Sequence, residues 1–343
     1  MIPIKKPTIK RKDMDSVLSC MVSDDIGPGT LSGQFIAKVS DYLQCDGGLA
    51  FANYYFAIRF AFKTLGLVAG DKVITSALSP ALYMQVFEDL ELIPLVSDVD
   101  PDSGTILPTE VERLSADNEI KAIVVHYPLG IVPDIDAILV YDIPVIEDIS
   151  QAFGAVKNEA KCGSLGKLAV VSTDEDGIIT SGGGGLLLVN DKKYFPSLKA
   201  LSESLAKEFF MPNLNASLGL SQIRKIGDLV ERRNEIGKIF AQSLLKSRHK
   251  TLIQKIEADS VYYSFPVLIN STMNDVRKFA RKKNVDTEPA FGHSLFTMIP
   301  ELENNHYYQN AKSLVMRCLI FPCYPMLGKQ NVILISKILA VLP

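Results

Sequence analysis

A chain of 343 residues, 47% hydrophobic and 22% charged, is long enough for one large domain plus a smaller one. Its formal net charge of -3 gives no electrostatic reason to expect nucleic acid or an anionic membrane as a partner. No apolar run reaches the ~18 residues that a membrane span needs. The basic start MIPIKKPTIKRK has no apolar secretory segment behind it, so a cytoplasmic protein with no membrane partner is expected.

The first clear helical pattern is NYYFAIRFAFKTLGL, residues 53–67, with Asn53 as its N-cap, apolar positions at helical spacing and Gly66 as its stop. DKVITSAL (71–78) follows as a strand, PALYMQVFEDLEL (80–92) as a helix, LIPLVSDVD (92–100) as a strand and LPTEVERLSADN (107–118) as a helix. IKAIVVHYPLG (120–130), IPVIEDIS (143–150), KLAVVST (167–173) and GGLLLVND (184–191) complete the strands. The inner ones are continuously apolar, as expected where both faces of a sheet are covered. Strand and helix in alternation predict an α/β layer with a mostly parallel sheet.

Residues 215–248 read as one long amphipathic segment, with Ile223, Ile226 and Val230 inward and Arg232 and Arg233 on a solvated face. SVYYSFPVLI, NDVRKFARKKNV, LIFPCYPML and NVILISKILAVL then predict a small α+β domain. The expected division is 1–235 and 236–343, with the boundary inside a helix. Cys20, Cys45, Cys162, Cys318 and Cys323 have neither metal-ligand spacing nor an even count, which suits reduced thiols.

Several blocks stand in a telling order: LGLVAGDKVI, DVDPDSGTI, VVHYPLGIVPDIDAI, VIEDISQAFGA, CGSLGKL, TSGGGGLLLVND, RRNEIGKIF and FPCYPML. On these the chain resembles the nucleotide-sugar aminotransferases of the DegT/StrS group, pyridoxal-phosphate proteins of fold type I, from about Ile4 to the end. The resemblance implies a fold type I large domain and a smaller C-terminal α+β domain. It also implies a sugar-nucleotide ligand, a saccharide-biosynthesis setting and a homodimer that Phe209 and Phe210 reinforce as apolar contacts.

By the same resemblance Asp148 faces the cofactor's pyridine nitrogen and keeps the ring protonated as an electron sink, and Gln151 faces its phenolic oxygen. From the residues alone, the acid of IEDIS reads equally as a loop carboxylate capping the next helix. Ser172 takes the place of the family's serine before the cofactor lysine. Asn53, Tyr54 and Tyr55 stand where Ser-Gly-Thr cradles the phosphate at a helix N-terminus. Pro80 replaces the aromatic that stacks on the ring, and Glu208, Phe209 and Phe210 replace an Asn-Tyr-Arg stretch.

The largest departure is at Gly177, which an ungapped register between Ser172 and the glycines puts at the lysine position. A lysine there forms the resting Schiff base and moves the substrate proton, and glycine does neither. Asp174, Glu175 and Asp176 cannot form an imine and read as a solvated turn. His126 and His293 are histidines near the implied site, each read as a contributor to the chemistry and more readily as a hydrogen-bonded structural residue. Lys161 and Lys167 precede Gly177 by ten residues or more.

The leading expectation is a degenerate sugar aminotransferase homologue unable to perform lysine-dependent transamination, with PLP or PMP held noncovalently if at all. One alternative is a lysine-free, PMP-dependent enzyme of dehydratase type acting on a keto-sugar nucleotide. The other is an aminotransferase whose lysine comes from elsewhere in this chain or a partner chain.

Overall fold

The computed structural model describes residues 1–343. Its centre is a sheet built from β1 (Gly47–Phe51), β2 (Lys72–Ser76), β3 (Ile93–Ser97), β4 (Ile120–His126) and β5 (Val145–Asp148). After a small separate hairpin of β6 (Val156–Lys157) and β7 (Ala160–Lys161) come β8 (Leu168–Ser172) and β9 (Gly185–Val189). The strand order is β1-β9-β8-β5-β4-β2-β3, and only β9 runs against its neighbours.

The unbroken apolar runs exist because successive side chains feed two different cores. Ile123 and Val125 of β4 pack into one face with Phe35, Val39 and Leu43 of the helix Thr30–Leu43. Ala122 and Val124 of the same strand pack into the other with Ala57, Phe60 and Ala61 of the helix Tyr54–Leu65. Strands β8 and β9 alternate in the same way.

The helix Tyr54–Leu65 begins and ends where its sequence says. Asn53 accepts the Phe56 N–H at 3.0 Å, satisfying one orphan donor of the first turn, and Gly66 closes the last turn at φ 82°. Before it, β1 carries no strand signal that stood out, because GGLAF opens on two glycines. They are needed there: a Cβ at Gly48 would stand 2.2 Å from the Leu187 carbonyl oxygen on β9. The four-glycine run before β9 turns the chain with positive φ at Gly182, Gly183 and Gly184. Gly185 then lies so close to the helix start that a Cβ would meet Tyr54 Cα at 2.6 Å.

The second lobe is a three-stranded antiparallel sheet of β10 (Phe265–Leu268), β11 (Glu288–Pro289) and β12 (Cys318–Phe321), in the order β10-β12-β11. Residues 215–248 differ from the expected single segment. They form parts of two helices, Asn213–Ile223 and Ile226–Leu244, broken at Arg224 and Lys225. Ile226 and Leu229 join the core of the large sheet, while Ile236, Phe240 and Leu244 join the core of the small one.

Arg233 is a correction, since it is buried rather than solvated. Its Nη1 donates to the carbonyls of Tyr263 and Cys323, each at 2.8 Å, and of Tyr262 at 3.3 Å. The helical pattern placed it by charge alone, but three carbonyls that leave the small sheet's edge need a donor there. Arg232 stays at the surface, paired with Glu235 at 2.7 Å. No helix is long and apolar enough to cross a membrane.

Candidate functional site

Parallel pairing of β4 with β5 puts His126 directly beside Asp148 at the carboxyl ends of both strands, where open α/β sheets bind their ligands. Asp148 is fully buried. One of its oxygens, Oδ2, accepts the Tyr54 hydroxyl at 2.6 Å and His126 Nδ1 at 3.1 Å. The other, Oδ1, accepts the Ser150 N–H at 3.1 Å and its hydroxyl at 2.6 Å. Burial alone would raise the pKa of this carboxyl. The His126 hydrogen bond and charge, with the Ser150 and Tyr54 hydrogen bonds, outweigh that and hold it below the usual carboxylate range.

The neighbouring acid has a different task. Glu147 accepts the N–H groups of Gly163, Leu165 and Gly166 and the Tyr127 hydroxyl, so it fixes the CGSLG turn from beneath. Gln151 accepts the Leu129 N–H through Oε1 at 2.7 Å. Ser172 donates its N–H to the Ser150 hydroxyl at 2.9 Å and its own hydroxyl to Asp174 at 2.6 Å. Ser172 therefore supports Asp148 through Ser150.

Above these residues a cleft of about 410 Å³ opens between the lobes. Tyr54, His126 and Gln151 form part of its floor, and Pro80 and His293 part of its walls. Lys5, Asp174, Asp176, Tyr263 and Glu288 also line it. Sequence reasoning did not place Lys5, Tyr263 or Glu288 there, and no local motif marks them, because three distant segments converge only in the fold.

The acidic stretch is also a correction. Asp174 and Asp176 are half-buried and only Glu175 is exposed, so this is not simply a solvated turn. Lys5 Nζ reaches Asp176 at 2.5 Å, giving the carboxylate the cation that its burial requires. Burial raises the Asp176 pKa, and the Lys5 charge and hydrogen bond with the Tyr263 hydroxyl outweigh it, leaving the net shift downward.

The remaining sequence candidates lie away from the cleft. Asn53 is the exposed N-cap and Tyr55 is half-buried outside it. Gly177 does not line the cleft either, and a Cβ on it would stand 2.4 Å from the Ile179 carbonyl oxygen. Phe209 and Phe210 pack within the chain, Phe209 on Phe56 with ring centres 4.7 Å apart and Phe210 on Phe51 at 5.9 Å. Lys161 sits over the Tyr42 ring, and Lys167 pairs with Asp191.

A mostly parallel seven-stranded sheet with one reversed strand, a buried aspartate at the end of a central strand and a small antiparallel lobe over it define the fold type I pyridoxal-phosphate transferase class. The chain belongs to the DegT/DnrJ/EryC1/StrS aminotransferase family, whose pattern it matches over residues 7–340. It is similar to the GDP-perosamine synthase of Escherichia coli O157:H7, 24% identical over 98% of this chain and 97% of that one. It is also similar to the spore coat polysaccharide biosynthesis protein SpsC of Bacillus subtilis, 23% identical over 96% of this chain and 94% of that one. Among solved structures, the E. coli GDP-4-keto-6-deoxy-D-mannose-3-dehydratase with bound hydrated PLP shares the fold at a TM-score of 0.88. That match is 16% identical and covers 99% of each chain.

The family is one of sugar aminotransferases that serve nucleotide-sugar and polysaccharide biosynthesis, and PLP is its cofactor. The residues present do not fit that ring as they stand. A carboxylate offers about four lone-pair sites, and four protein donors already point at Asp148. A pyridine N–H reaches it only when the Tyr54 hydroxyl leaves.

Proposed function

We propose that this chain is a nucleotide-sugar aminotransferase homologue that has given up lysine-dependent transamination and works on a keto-sugar nucleotide without covalently held PLP. The observation that carries the reading is the Tyr54 hydroxyl on Asp148 at 2.6 Å, where the family's cofactor nitrogen is expected. Gly177 at the family's lysine position supports it, since glycine has no amine and this one lies outside the cleft. The substrate class rests on relatives such as the GDP-perosamine synthase.

The test is an absorbance spectrum of the purified protein with PLP, followed by borohydride reduction and intact mass. No shifted band and no added mass is the expected result. A stable adduct on one lysine would overturn the reading, and tight calorimetric binding of PMP would replace it with the lysine-free, PMP-dependent reading.

One observation favours a second reading. Lys5 lines the cleft and pairs with Asp176, the residue before Gly177, so its amine is the one in this chain best placed to replace the family lysine. An adduct that maps to Lys5 would establish it. We also infer a cytoplasmic homodimer divided at residues 235 and 236. Light scattering that shows only monomer at micromolar concentration would remove the dimer.

A further inference from the structure

Two side chains on the cleft floor are each fixed in one role. His126 lies with Nδ1 3.1 Å from Asp148. That carboxylate only accepts, so the neutral ring must carry its proton on Nδ1 and its lone pair on Nε2. The ring's one hydrogen bond is through Nδ1, and His126 is among the residues that line the cleft. Gln151 is fixed in the opposite sense. Its Oε1 must be the acceptor of the Leu129 N–H at 2.7 Å, which leaves its NH2 group free to donate, and the residue lines the same cleft.

The walls favour an uncharged ligand portion. Asp174, Asp176 and Glu288 set three carboxylates against the one ammonium of Lys5, so a phosphate is repelled while a neutral sugar ring is not. A volume of about 410 Å³ falls low in the ~300–1,000 Å³ range of ligand pockets, consistent with a sugar ring inside and its nucleotide outside.

We propose that the cleft enolises the keto sugar of a sugar nucleotide without any cofactor, with His126 Nε2 as the base and the Gln151 amide as the donor to the enolate oxygen. The inference rests on the reading that no pyridoxal ring occupies Asp148. The C–H bond beside the ketone breaks, its electron pair forms the C=C bond, the carbonyl π pair moves onto oxygen and the proton passes to Nε2. Asp148, already on Nδ1–H, balances the imidazolium charge. Reversal returns a proton from Nε2 to carbon, so no oxidant or reductant is consumed. This step is the first half of an epimerisation or a keto isomerisation.

The experiment uses the purified full chain in deuterated water, with no PLP or PMP added. GDP- and dTDP-linked 4-keto-6-deoxy sugars are the probes, and proton NMR follows loss of signal at the carbons flanking the ketone. Exchange well above the buffer rate is expected. His126→Asn, which keeps an N–H donor for Asp148, should slow it by about 10²–10⁴-fold and abolish its pH profile. Gln151→Leu should slow it by about 10²–10³-fold without moving that profile. Circular dichroism and thermal melts of both variants separate chemical loss from misfolding, and either well-folded variant suffices for the decision.

No exchange of any probe by the wild-type protein, or full exchange by a folded His126→Asn, overturns the inference and leaves the borohydride result standing. Exchange that appears only after PMP is added overturns the cofactor-free reading as well.

Discussion

Replacing Tyr54 by phenylalanine deletes one hydroxyl from a fully buried carboxylate and changes almost nothing else. The lost bond is 2.6 Å long and charge-assisted, and hydrogen bonds to charged groups contribute about 1.5–3 kcal/mol. With an unfolding entropy of about 2.1 cal/mol/K per residue, 343 residues give about 0.7 kcal/mol/K, so a loss of 2 kcal/mol lowers Tm by about 3 °C. The pH dependence has a defined sign. The folded-state pKa of Asp148 lies below the ordinary aspartate value of 3.8, so its contribution to stability is present above that value and lost as pH falls through the folded pKa. The Tyr54 bond is one of the interactions that lower it, so Tyr54→Phe should lose this contribution at a higher pH than the wild type. Calorimetric scans from pH 7 down to about pH 2.5 measure both effects. A Tm unchanged within 1 °C at pH 7, with acid sensitivity also unchanged, would show that Tyr54 does not sit on Asp148.

Gly177→Lys should cost about 1–3 kcal/mol in urea unfolding, because its Cβ meets the Ile179 carbonyl oxygen at 2.4 Å, and should still yield no shifted PLP band. Recovered PLP absorbance with transaminase activity would refute both the Tyr54 hydrogen bond on Asp148 as a block to the ring and the cofactor-free reading. Lys5→Met removes a half-exposed ion pair, so stability should fall by less than about 1 kcal/mol while Asp176 titrates at a higher pH, as carboxylate NMR can follow. Arg233→Met takes the donor from three carbonyls and should destabilise the fold by about 1–3 kcal/mol, with unfolding of the small lobe, monitored by hydrogen exchange around residues 262–263 and 323, ahead of the large one. Uniform loss of protection across both lobes would contradict that order.

Period and punctuation carried most of the fold. The runs AIVV and LLLV are continuous because each strand supplies two cores, and Asn53 and Gly66 bound their helix by local chemistry. What escaped was set by tertiary partners. GGLAF looks unlike a strand until the Leu187 carbonyl beside Gly48 is known, and Arg233 looks solvent-facing until the carbonyls beneath it are known. In the site, Asp148, His126 and Gln151 were singled out only through the family resemblance, whereas Lys5, Tyr263 and Glu288 reach the cleft from separate segments without any spacing signal.

The structure also changes what the retained aspartate means. From the sequence, Asp148 argues for a ligand in the inherited cofactor place, since a carboxylate there has a clear cofactor role. In the fold, the same carboxylate is the shared acceptor for Tyr54, His126 and Ser150. Its removal would leave buried donors unpaired, so packing alone accounts for its presence. On the proposed reading, Tyr54 in place of the phosphate cradle and Gly177 in place of the lysine are then compatible changes. Once the ring is no longer held by a Schiff base, a phenol can fill its hydrogen-bonding place, and once the phenol is there, a lysine at residue 177 has no ring to meet. Asp148 therefore carries little weight as evidence for PLP, and the open groups of His126 and Gln151 are the stronger indication of what chemistry the cleft retains.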